Sequence, residues 1–359
     1  MATEGVEPDA AKAAAATGMN RRRVNFDHNR KLDIERQDDA VAWLRLRGLI
    51  EADEIPRIAV LPGGVSSRTV LVERERGRSM VLKQSLPKLR VAVDWFSSPE
   101  RIHREALAQR WFRRLAPPGT ICDLFDEDAQ EHIIAMEAVP QPHANWKTML
   151  LAGDLRLEHV RQFGELLAAL HANSAARAEE LQPLFGDKTF FETLRIEPYY
   201  RYTSHHAPRF FAALIEETLA TNAALVHGDF SPKNVLVHGD RLVLLDHEVA
   251  HFGDPAFDIG FAMAHFLSKA HHLPHRRRDF LDAAQEFVAQ PLACRQIESR
   301  SVRHSLACLL ARVKGRSPLE YLDSAERARQ AEAVLAIIGN LPAEMPVLID
   351  RFEKELRCR

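Results

Sequence analysis

The stretch Leu225-Val-His-Gly-Asp-Phe-Ser-Pro-Lys-Asn-Val-Leu-Val237 and the run Leu242-Val-Leu-Leu-Asp246 after it decide the fold and the chemistry of this chain. Asp229 is followed five residues later by Asn234, so one loop can present a base and a metal ligand. Asp246 ends the next predicted strand and adds a second oxygen ligand. This order and spacing is typical of phosphoryl transfer from a nucleoside triphosphate, in which an acidic base works beside ligands for a metal ion.

The tripeptide His-Gly-Asp occurs a second time, at 238–240, and serves as an internal control. Five residues after Asp240 the chain has Leu245, which cannot bind a metal. Gly239-Asp240 also lies between two short aliphatic runs, which predicts a hairpin turn. We therefore assign the chemistry to Asp229 and a structural turn to Asp240.

The region before residue 139 predicts a small antiparallel sheet with one main helix. Arg76-Gly77 is typical of a hairpin turn between two of the strands. Ser98-Pro99 has the form of an N-cap followed by proline at the first helical position, so a helix should start there. A shorter amphipathic helix is predicted over 38–48. The predicted strands are short aliphatic runs at 58–61, 69–73, 79–84 and 132–137.

Two charged residues of this region suit a bound triphosphate. Lys83 lies on the third predicted strand, where its ammonium can reach phosphate oxygens, and Glu105 follows 22 residues later on the predicted helix. An ion pair with Glu105 would hold the lysine in place. In the turn 62–67, Gly64 and Ser66 are candidates for backbone contacts with phosphate, since glycine lets amide groups approach closely.

From residue 139 onward, helical periodicity dominates. Helices are predicted over 157–171, 210–225 and 257–267, and again in the carboxy-terminal quarter. The proline-rich segment 139–142 marks a boundary between the two regions. We therefore expect an α+β fold with two lobes. The expected division is a disordered lead at 1–24, a β-rich nucleotide-binding lobe at 25–138, and a larger helical lobe with the catalytic loop and substrate site at 139–359.

The composition is that of a globular protein, with 46% hydrophobic and 27% charged residues in a chain of 359. A formal net charge of -2 gives no electrostatic reason to expect a nucleic acid or a membrane as partner. No apolar run approaches the roughly 18 residues that span a bilayer. The cysteines show no disulfide or metal-ligand spacing, which favours a cytoplasmic location. They are Cys122, Cys294, Cys308 and Cys358.

A competing motif overlaps the site, because residues 247–251 read His-Glu-Val-Ala-His, the zinc-hydrolase pattern. That pattern needs a helix so that both imidazoles face one metal ion. A strand ending at Asp246 and the Gly-Asp-Pro of 253–255 argue against such a helix. Instead, Glu248 is expected to be a second acidic group near the metal, since positions 246 and 248 of an extended segment point the same way.

Three neighbouring polar residues are assigned structural roles. Asp254 is expected to cap the helix that follows it. Asp258 is expected to hydrogen-bond the backbone of the catalytic loop. His227 is expected to brace that loop, because Asp229 already fills the role of base.

These blocks resemble the aminoglycoside phosphotransferase and choline kinase superfamily of small-molecule kinases. The resemblance implies a two-lobed protein-kinase-like fold that uses ATP and magnesium. It places Lys83 and Glu105 at the phosphates, Asp229 as base, and Asn234 and Asp246 as metal ligands. The segment 82–90 and the pair Asp246/Glu248 look most like the methylthioribose kinase branch. The matching blocks are residues 81–83, Glu105, 227–234, 245–248 and 253–258.

The resemblance also bears on what the enzyme binds. Ser231 stands two residues after Asp229, where protein kinases usually place a lysine, so a protein substrate is not expected. By position after the last strand, the hinge beside the nucleotide base is expected at 136–139. The residues assigned to it are Met136, Glu137 and Val139.

The phosphate acceptor should dock in the helical lobe, for which two segments are candidates. Residues 195–201 mix charge with aromatic rings, and 271–278 form a basic cluster. If the basic cluster faced the cleft, it would favour a neutral or anionic acceptor, but a solvated loop is the simpler reading.

The expected function is that of an ATP-dependent kinase acting on a hydroxyl of a small metabolite. Sugar-like compounds such as methylthioribose, or an amino alcohol, are candidate acceptors. An aminoglycoside O-phosphotransferase is the alternative within the class. A nucleotide-binding regulator without catalysis and a zinc hydrolase are alternatives from other classes. A homodimer is kept open as the assembly state.

Overall fold

The computed structural model describes residues 31–62, 66–90, 95–291 and 295–357. Its first part is an antiparallel sheet of five strands in the spatial order β1-β2-β3-β5-β4. Helix α1 (Gln37–Leu46) precedes the sheet, and α2 (Arg101–Leu115) lies between β3 and β4 in the chain. The strands are β1 (Arg57–Val60), β2 (Ser67–Glu73), β3 (Met80–Ser85), β4 (Leu124–Asp128) and β5 (Ile133–Glu137).

The two faces of this sheet are covered by different helices, as the alternation of side chains along each strand requires. On one face, Val70 and Leu82 pack with Trp43 of α1 in a buried cluster. On the other face, Ile134 packs with Ile102 of α2. The sheet is therefore held between α1 and α2, and Glu105 of α2 reaches Lys83 on the central strand β3.

The rest of the chain is mainly helical and carries two further small sheets. One sheet has the order β6-β8-β9 and the other pairs β7 with β10. A π-helical segment, Glu192–Arg201, follows α6. The strands are β6 (His143–Asn145), β7 (Ala224–Val226), β8 (Val235–His238), β9 (Arg241–Leu244) and β10 (His251–Gly253). The helices are α3 (Trp146–Leu151), α4 (Leu157–Ala175), α5 (Ala178–Phe185), α6 (Thr189–Phe191), α7 (Pro208–Ala220), α8 (Ala256–His272), α9 (Arg277–Val288), α10 (Arg295–Lys314), α11 (Ser324–Ile338) and α12 (Met345–Arg357).

Helix α8 is the centre of the helical region and is buried along nearly its whole length. It packs against α9, α10, α11 and α12. At Gly260, a Cβ atom would come within 2.4 Å of His304 Cβ on α10, so the two helices approach too closely for any larger residue. This packing fixes the start of α8, which supports the catalytic loop described below.

The α+β fold and its division into a small antiparallel sheet and a mainly helical region are as predicted. The hairpin at Gly239-Asp240 is confirmed by the antiparallel pairing of β8 with β9. The prediction that Ser98 caps α2 is wrong, because the helix begins at Arg101 after a turn. The prediction of helix up to residue 225 is also wrong, since Ala224–Val226 pairs with β10 as a strand.

Strand β4 was absent from the sequence prediction. Its residues, Leu-Phe-Asp-Glu-Asp, are all partly exposed, so it lacks the aliphatic run by which the other strands were predicted. The predicted lead at 1–24 and Gly64 lie outside the described residues. Within the described parts of the chain, none of the helices has the length and apolar character needed to span a bilayer.

Candidate active site

The loop between β7 and β8 is fixed by its backbone. The N–H groups of His227 and Gly228 donate to the carboxylate of Asp258 at 2.7 and 2.8 Å. His227 Nδ1 accepts the N–H of Asp229 at 3.2 Å, so its Nε2 carries the proton and donates to the carbonyl of Leu245 at 3.2 Å. Asp258 and His227 thus hold the loop as their sequence positions suggested.

Gly228 is required by the geometry of this loop. Its φ is +77°, and a Cβ atom there would lie 2.7 Å from the Val249 side chain. The left-handed conformation and the close approach both exclude larger residues. This sharp turn directs the Asp229 side chain inward, where only 1% of the residue is exposed.

The two carboxylate oxygens of Asp229 have different surroundings. Oδ2 contacts Lys233 Nζ at 2.7 Å and Arg195 Nη2 at 2.9 Å, and accepts a hydrogen bond from Asn234 Nδ2 at 2.9 Å. Oδ1 is buried and has no hydrogen-bond partner among the described residues. Burial favours the neutral acid, but Arg195 and Lys233 outweigh it and lower the pKa of Asp229. The site therefore holds an ionised carboxylate with one oxygen left to accept a proton.

Lys83 joins the sheet to the helical region. Its Nζ donates to both carboxylate oxygens of Glu105 at 2.7 and 2.8 Å and to Asp246 Oδ1 at 2.6 Å. Burial opposes the charge, but Asp246 and Glu105 outweigh it and raise the pKa of Lys83. The pKa of Asp246 is lowered, because Lys83 and Lys233 outweigh the effect of its burial. Burial raises the pKa of Glu105 to about 7.

Three carboxylates converge around this lysine, since oxygens of Glu105, Asp246 and Glu248 lie within 4.8 Å of one another. The expectation that 246–248 is an extended segment is wrong, because Asp246 has a φ of +67° and a turn follows at 248–249. The carboxylates of Asp246 and Glu248 are therefore brought together by this bent backbone and not by lying on the same face of a strand. Carboxylate oxygens are ligands that Mg²⁺ prefers, and the amide of Asn234 lies on the neighbouring loop.

Glu248 is held by Arg101, a fully buried residue in the first turn of α2. Arg101 Nε donates to Glu248 Oε2 at 3.1 Å. The same guanidinium donates to the carbonyls of Ser97, Ser98, Leu86 and Ser66. Arg101 therefore connects Ser66, the described end of the predicted phosphate-binding turn, with α2 and with the carboxylate cluster.

The predicted hinge residues lie at the end of β5 and just after it. Met136 pairs with Val81 of β3, and the N–H of Glu137 donates to Asp123 O at 2.8 Å. Val139 is buried against Val243 of β9. The segment thus connects the five-stranded sheet with the small sheet that follows the catalytic loop.

The zinc pattern at 247–251 does not form a site, because these residues make a turn and the start of β10 and no helix. His247 Nδ1 lies 3.2 Å from His227 Nε2. The His251 ring stacks on Phe191 with a centroid distance of 4.0 Å. The two imidazoles have separate packing partners, and burial lowers the pKa of both.

The remaining candidates have local roles. Asp254 Oδ1 accepts the N–H of Ala256, the first residue of α8, at 3.1 Å, and Oδ2 lies 3.1 Å from Arg300. In the basic cluster at 271–278, His272 contacts Glu326 at 2.9 Å and Arg278 contacts Asp282 at 2.8 Å. Both side chains thus contact nearby carboxylates.

Three residues of the site were missed at the sequence level. Lys233 stands four residues after Asp229, and the 3₁₀ turn Pro232–Asn234 brings its ammonium back to the carboxylate. Arg195 was noted only as part of a possible acceptor segment, yet it contacts Asp229 directly. Arg101 carried no signal, because a single arginine in a helix is usually solvated. Only the offset of four residues could have suggested Lys233.

Two methylthioribose kinases are similar to this chain in sequence. Rice (Oryza sativa subsp. japonica) methylthioribose kinase 2 is 25% identical over 253 residues, which are 62% of this chain and 58% of the relative. Methylthioribose kinase of Pectobacterium carotovorum is 26% identical over 313 residues, covering 73% of this chain and 76% of the relative. The match to the rice protein thus spans less than two thirds of that protein.

A solved structure of a choline/ethanolamine kinase family protein from Mesorhizobium loti superposes with a TM-score of 0.52 at 16% identity. It covers 90% of this chain and 99% of the other. At this identity the likeness shows the kinase-like fold alone. The phosphotransferase enzyme family, abbreviated APH, matches residues 57–272, which include Lys83, Asp229 and Asp246. The chain belongs to the phosphotransferase enzyme family.

Proposed function

We propose that the protein is a kinase that transfers the γ-phosphate of ATP to a hydroxyl group of a small metabolite. The observation that carries this proposal is Asp229, an ionised and buried carboxylate whose Oδ1 has no partner among the described residues. A general base must offer such an oxygen to the proton that it removes. Membership of the phosphotransferase family and the similarity to methylthioribose kinases support it.

In the proposed reaction, the acceptor hydroxyl oxygen attacks the γ-phosphorus while Oδ1 of Asp229 takes the hydroxyl proton. The bond from the γ-phosphorus to the β,γ-bridging oxygen breaks, and ADP leaves with the electron pair. The products are a phosphate ester and ADP. Lys233 and Arg195 keep the carboxylate ionised before the transfer, and Lys233, whose side chain is partly exposed, is proposed to stabilise the charge that develops on the phosphoryl group.

Lys83 is proposed to bind the phosphates of ATP, with Glu105 holding its ammonium in place. Ser66 and the hinge residues Met136, Glu137 and Val139 are proposed to contact the nucleotide through their backbone. Oxygen ligands from Asn234, Asp246 and Glu248 suit Mg²⁺, and Glu105 belongs to the same carboxylate cluster. When bound, the ion would neutralise charge on the phosphate oxygens.

The first acceptor to test is methylthioribose, because the curated relatives carry that name. The experiment measures ADP release from ATP and Mg²⁺ with methylthioribose, simple sugars, amino alcohols and an aminoglycoside, and detects the phosphate ester by phosphorus NMR. We expect at least one small acceptor to raise ADP release above the acceptor-free rate. ATP that binds without any acceptor-dependent turnover would instead favour a regulator, and stoichiometric zinc in the purified protein would favour a hydrolase.

A further inference from the structure

Lys269 is a buried lysine of α8 without an acidic partner. Its residue exposure is 0%, and the described residues place no carboxylate within salt-bridge distance. Nζ donates only to the carbonyl of His265 on its own helix, at 3.4 Å, and lies 5.5 Å from the ring centroid of Tyr321. A buried ammonium is costly unless a neighbouring anion compensates it.

Arg312 of α10 is a second buried cation of this region without a salt bridge among the described residues. It is 7% exposed and bonds only neutral groups: Nη1 donates to Tyr199 Oη at 3.0 Å and to Ser317 Oγ at 2.9 Å. Its buried Nε has no hydrogen-bond partner within the described ranges. Together with Lys147 of α3, Lys269 and Arg312 form what we call the cation cluster.

The described residues balance only part of the charge of the cation cluster. Among the described residues, the carboxylate that forms a salt bridge with this cluster is Glu320, which contacts Lys147. Burial, and then the charges of Lys147 and Arg312, lower the pKa of Lys269 to about 7 despite the opposing effect of Glu320. Three polar atoms of neighbouring residues also have no hydrogen-bond partner among the residues that the structure describes, namely His265 Nε2, Ser268 Oγ and Tyr321 Oη. The region therefore combines buried cations with polar groups that can hydrogen-bond an anion.

The cation cluster is close to the catalytic base. The guanidinium carbon of Arg312 lies 5.7 Å from the ring centroid of Tyr199, and that of Arg195 lies 5.7 Å from the same ring. Arg195 in turn contacts Asp229 at 2.9 Å. One aromatic ring therefore contacts both Arg312 of the cation cluster and the arginine that holds the base, a proximity that one small metabolite can span.

We propose that the cation cluster binds an anionic group, a carboxylate or a phosphate, of the same acceptor whose hydroxyl is presented to Asp229. This inference rests on the proposed kinase function and narrows its substrate class to hydroxylated metabolites that carry a negative charge. A bound anion would supply the compensation that Lys269 and Arg312 lack. Methylthioribose, which is neutral, would not use these cations.

The test compares acceptors that share a carbon skeleton and differ in charge. The two sets are ribose, ribonate and ribose 5-phosphate, and glycerol, glycerate and glycerol 3-phosphate. Acceptor-dependent ADP release gives kcat/KM for each. We expect kcat/KM for an anionic acceptor to exceed that for its neutral counterpart by about 10- to 100-fold, because one hydrogen bond between charged groups contributes about this factor. The carboxylate and phosphate members show which group the site takes.

The variant Lys269→Met removes the buried charge at nearly constant volume, and its readout is the ratio of anionic to neutral kcat/KM. That ratio does not depend on the fraction of folded enzyme, so a partly unfolded variant still gives an answer. We expect the ratio to fall by about 10-fold or more. The matched control is Lys354→Met, on the exposed face of α12, which should keep the wild-type ratio.

Each outcome has a distinct meaning. If no acceptor of any charge stimulates ADP release, the proposed kinase function itself fails. If neutral acceptors, methylthioribose included, are used as well as anionic ones, the kinase function stands and the anionic subsite is wrong. An anionic preference that survives in Lys269→Met also overturns the assignment of that preference to the cation cluster.

Discussion

At the scale of single residues, the chemistry of Asp229 follows from the unequal use of its two oxygens. Two cations and one amide occupy Oδ2, while Oδ1 has no partner among the described residues. The occupied oxygen fixes the orientation of the carboxylate, and the other remains a proton acceptor. This division explains how a residue that is almost fully buried can stay charged and still offer an oxygen to a proton.

Lys233→Met should move the acidic limb of the pH profile of kcat/KM to higher pH. Lys233 is one of the two cations that lower the pKa of Asp229 against the effect of burial, so its loss must raise that pKa. A higher pKa leaves less ionised base at a given acidic pH. Lys314→Met, at the exposed end of α10, is the control with no expected shift. An unmoved acidic limb in Lys233→Met would show that Lys233 does not tune the base.

Lys269→Met should stabilise the fold, and more at low pH than at high pH. The pKa of Lys269 is about 7 in the folded protein against an ordinary value of 10.5. Below about pH 7 the lysine is protonated in both the folded and the unfolded protein, so the folded wild type bears the full cost of the buried charge. Between about pH 7 and 10.5 the unfolded chain binds more protons than the folded protein, so the free energy of unfolding of the wild type rises with pH. Thermal unfolding should therefore show a larger gain in Tm over wild type at about pH 6.5 than at about pH 9.5. An equal or smaller gain at low pH would contradict the burial of an uncompensated charge.

How much of the site the sequence could predict depended on separation along the chain. Four polar residues of the site lie within 20 residues of one another, so their spacing could be read from the sequence. They are Asp229, Asn234, Asp246 and Glu248. Arg195 lies 34 residues before Asp229, and a π-helical segment brings it to the carboxylate. Lys269 and Arg312 come from two helices whose crossing is set by packing, and no local pattern encodes that crossing.

At the scale of elements, α8 supports the loop between β7 and β8 that carries Asp229. Asp258, in its first turn, accepts the N–H groups of His227 and Gly228 and contacts His171 Nε2 at 3.1 Å. Anions are favoured at a helix N-terminus. Burial opposes ionisation, but the contacts with His171 and the loop outweigh it and lower the pKa of Asp258. The conformation of the loop between β7 and β8 therefore depends on Asp258 at the start of α8.

Asp258→Ala should destabilise the protein by about 2–5 kcal/mol, because it leaves two buried N–H groups without acceptors. Chemical denaturation gives this free energy. The control Asp350→Ala, at an exposed position of α12, should change it by less than about 0.5 kcal/mol. A loss no larger than that of the control would mean that water or another group replaces the carboxylate.

Elements with a clear period were predictable and those without one were not. The strands β2, β3 and β5 have buried aliphatic residues, and α4 and α8 have long helical stripes. Strand β4 has acidic residues at three of its five positions and takes part in the sheet through its backbone pairing with β5. The aliphatic residues 224–226 are compatible with a helix or a strand, and their pairing with β10 makes them a strand.

At the scale of the whole molecule, the sheet and the helical region meet through ion pairs at the site. Lys83 of β3 contacts Asp246 at 2.6 Å, and Arg101 of α2 contacts Glu248 at 3.1 Å. Both carboxylates are proposed metal ligands, so binding of Mg²⁺ and ATP must act on the groups that join the two regions. The boundary between the two lobes near residue 138 remains a prediction. Assembly as a homodimer remains one as well.

Mg²⁺ with ATP should raise the Tm of the wild-type protein, and a chelator added with ATP should remove most of that gain. A ligand present at about 100 times its Kd stabilises a protein by about 2.7 kcal/mol. Asp246→Asn should lose the magnesium-dependent part of the shift, whereas Asp350→Asn should keep it. A full shift in Asp246→Asn would place the metal elsewhere.

The central claim, that Asp229 is the base of a phosphoryl transfer, has a control within the chain. Asp240 stands in the same tripeptide but in the exposed turn between β8 and β9. The decisive measurement is kcat for acceptor-dependent ADP release by Asp229→Asn and Asp240→Asn, each with its nucleotide affinity measured. We predict a loss of about 10²–10⁴ in kcat with nearly intact ATP binding for Asp229→Asn, and wild-type turnover for Asp240→Asn. Wild-type turnover by Asp229→Asn would contradict the account.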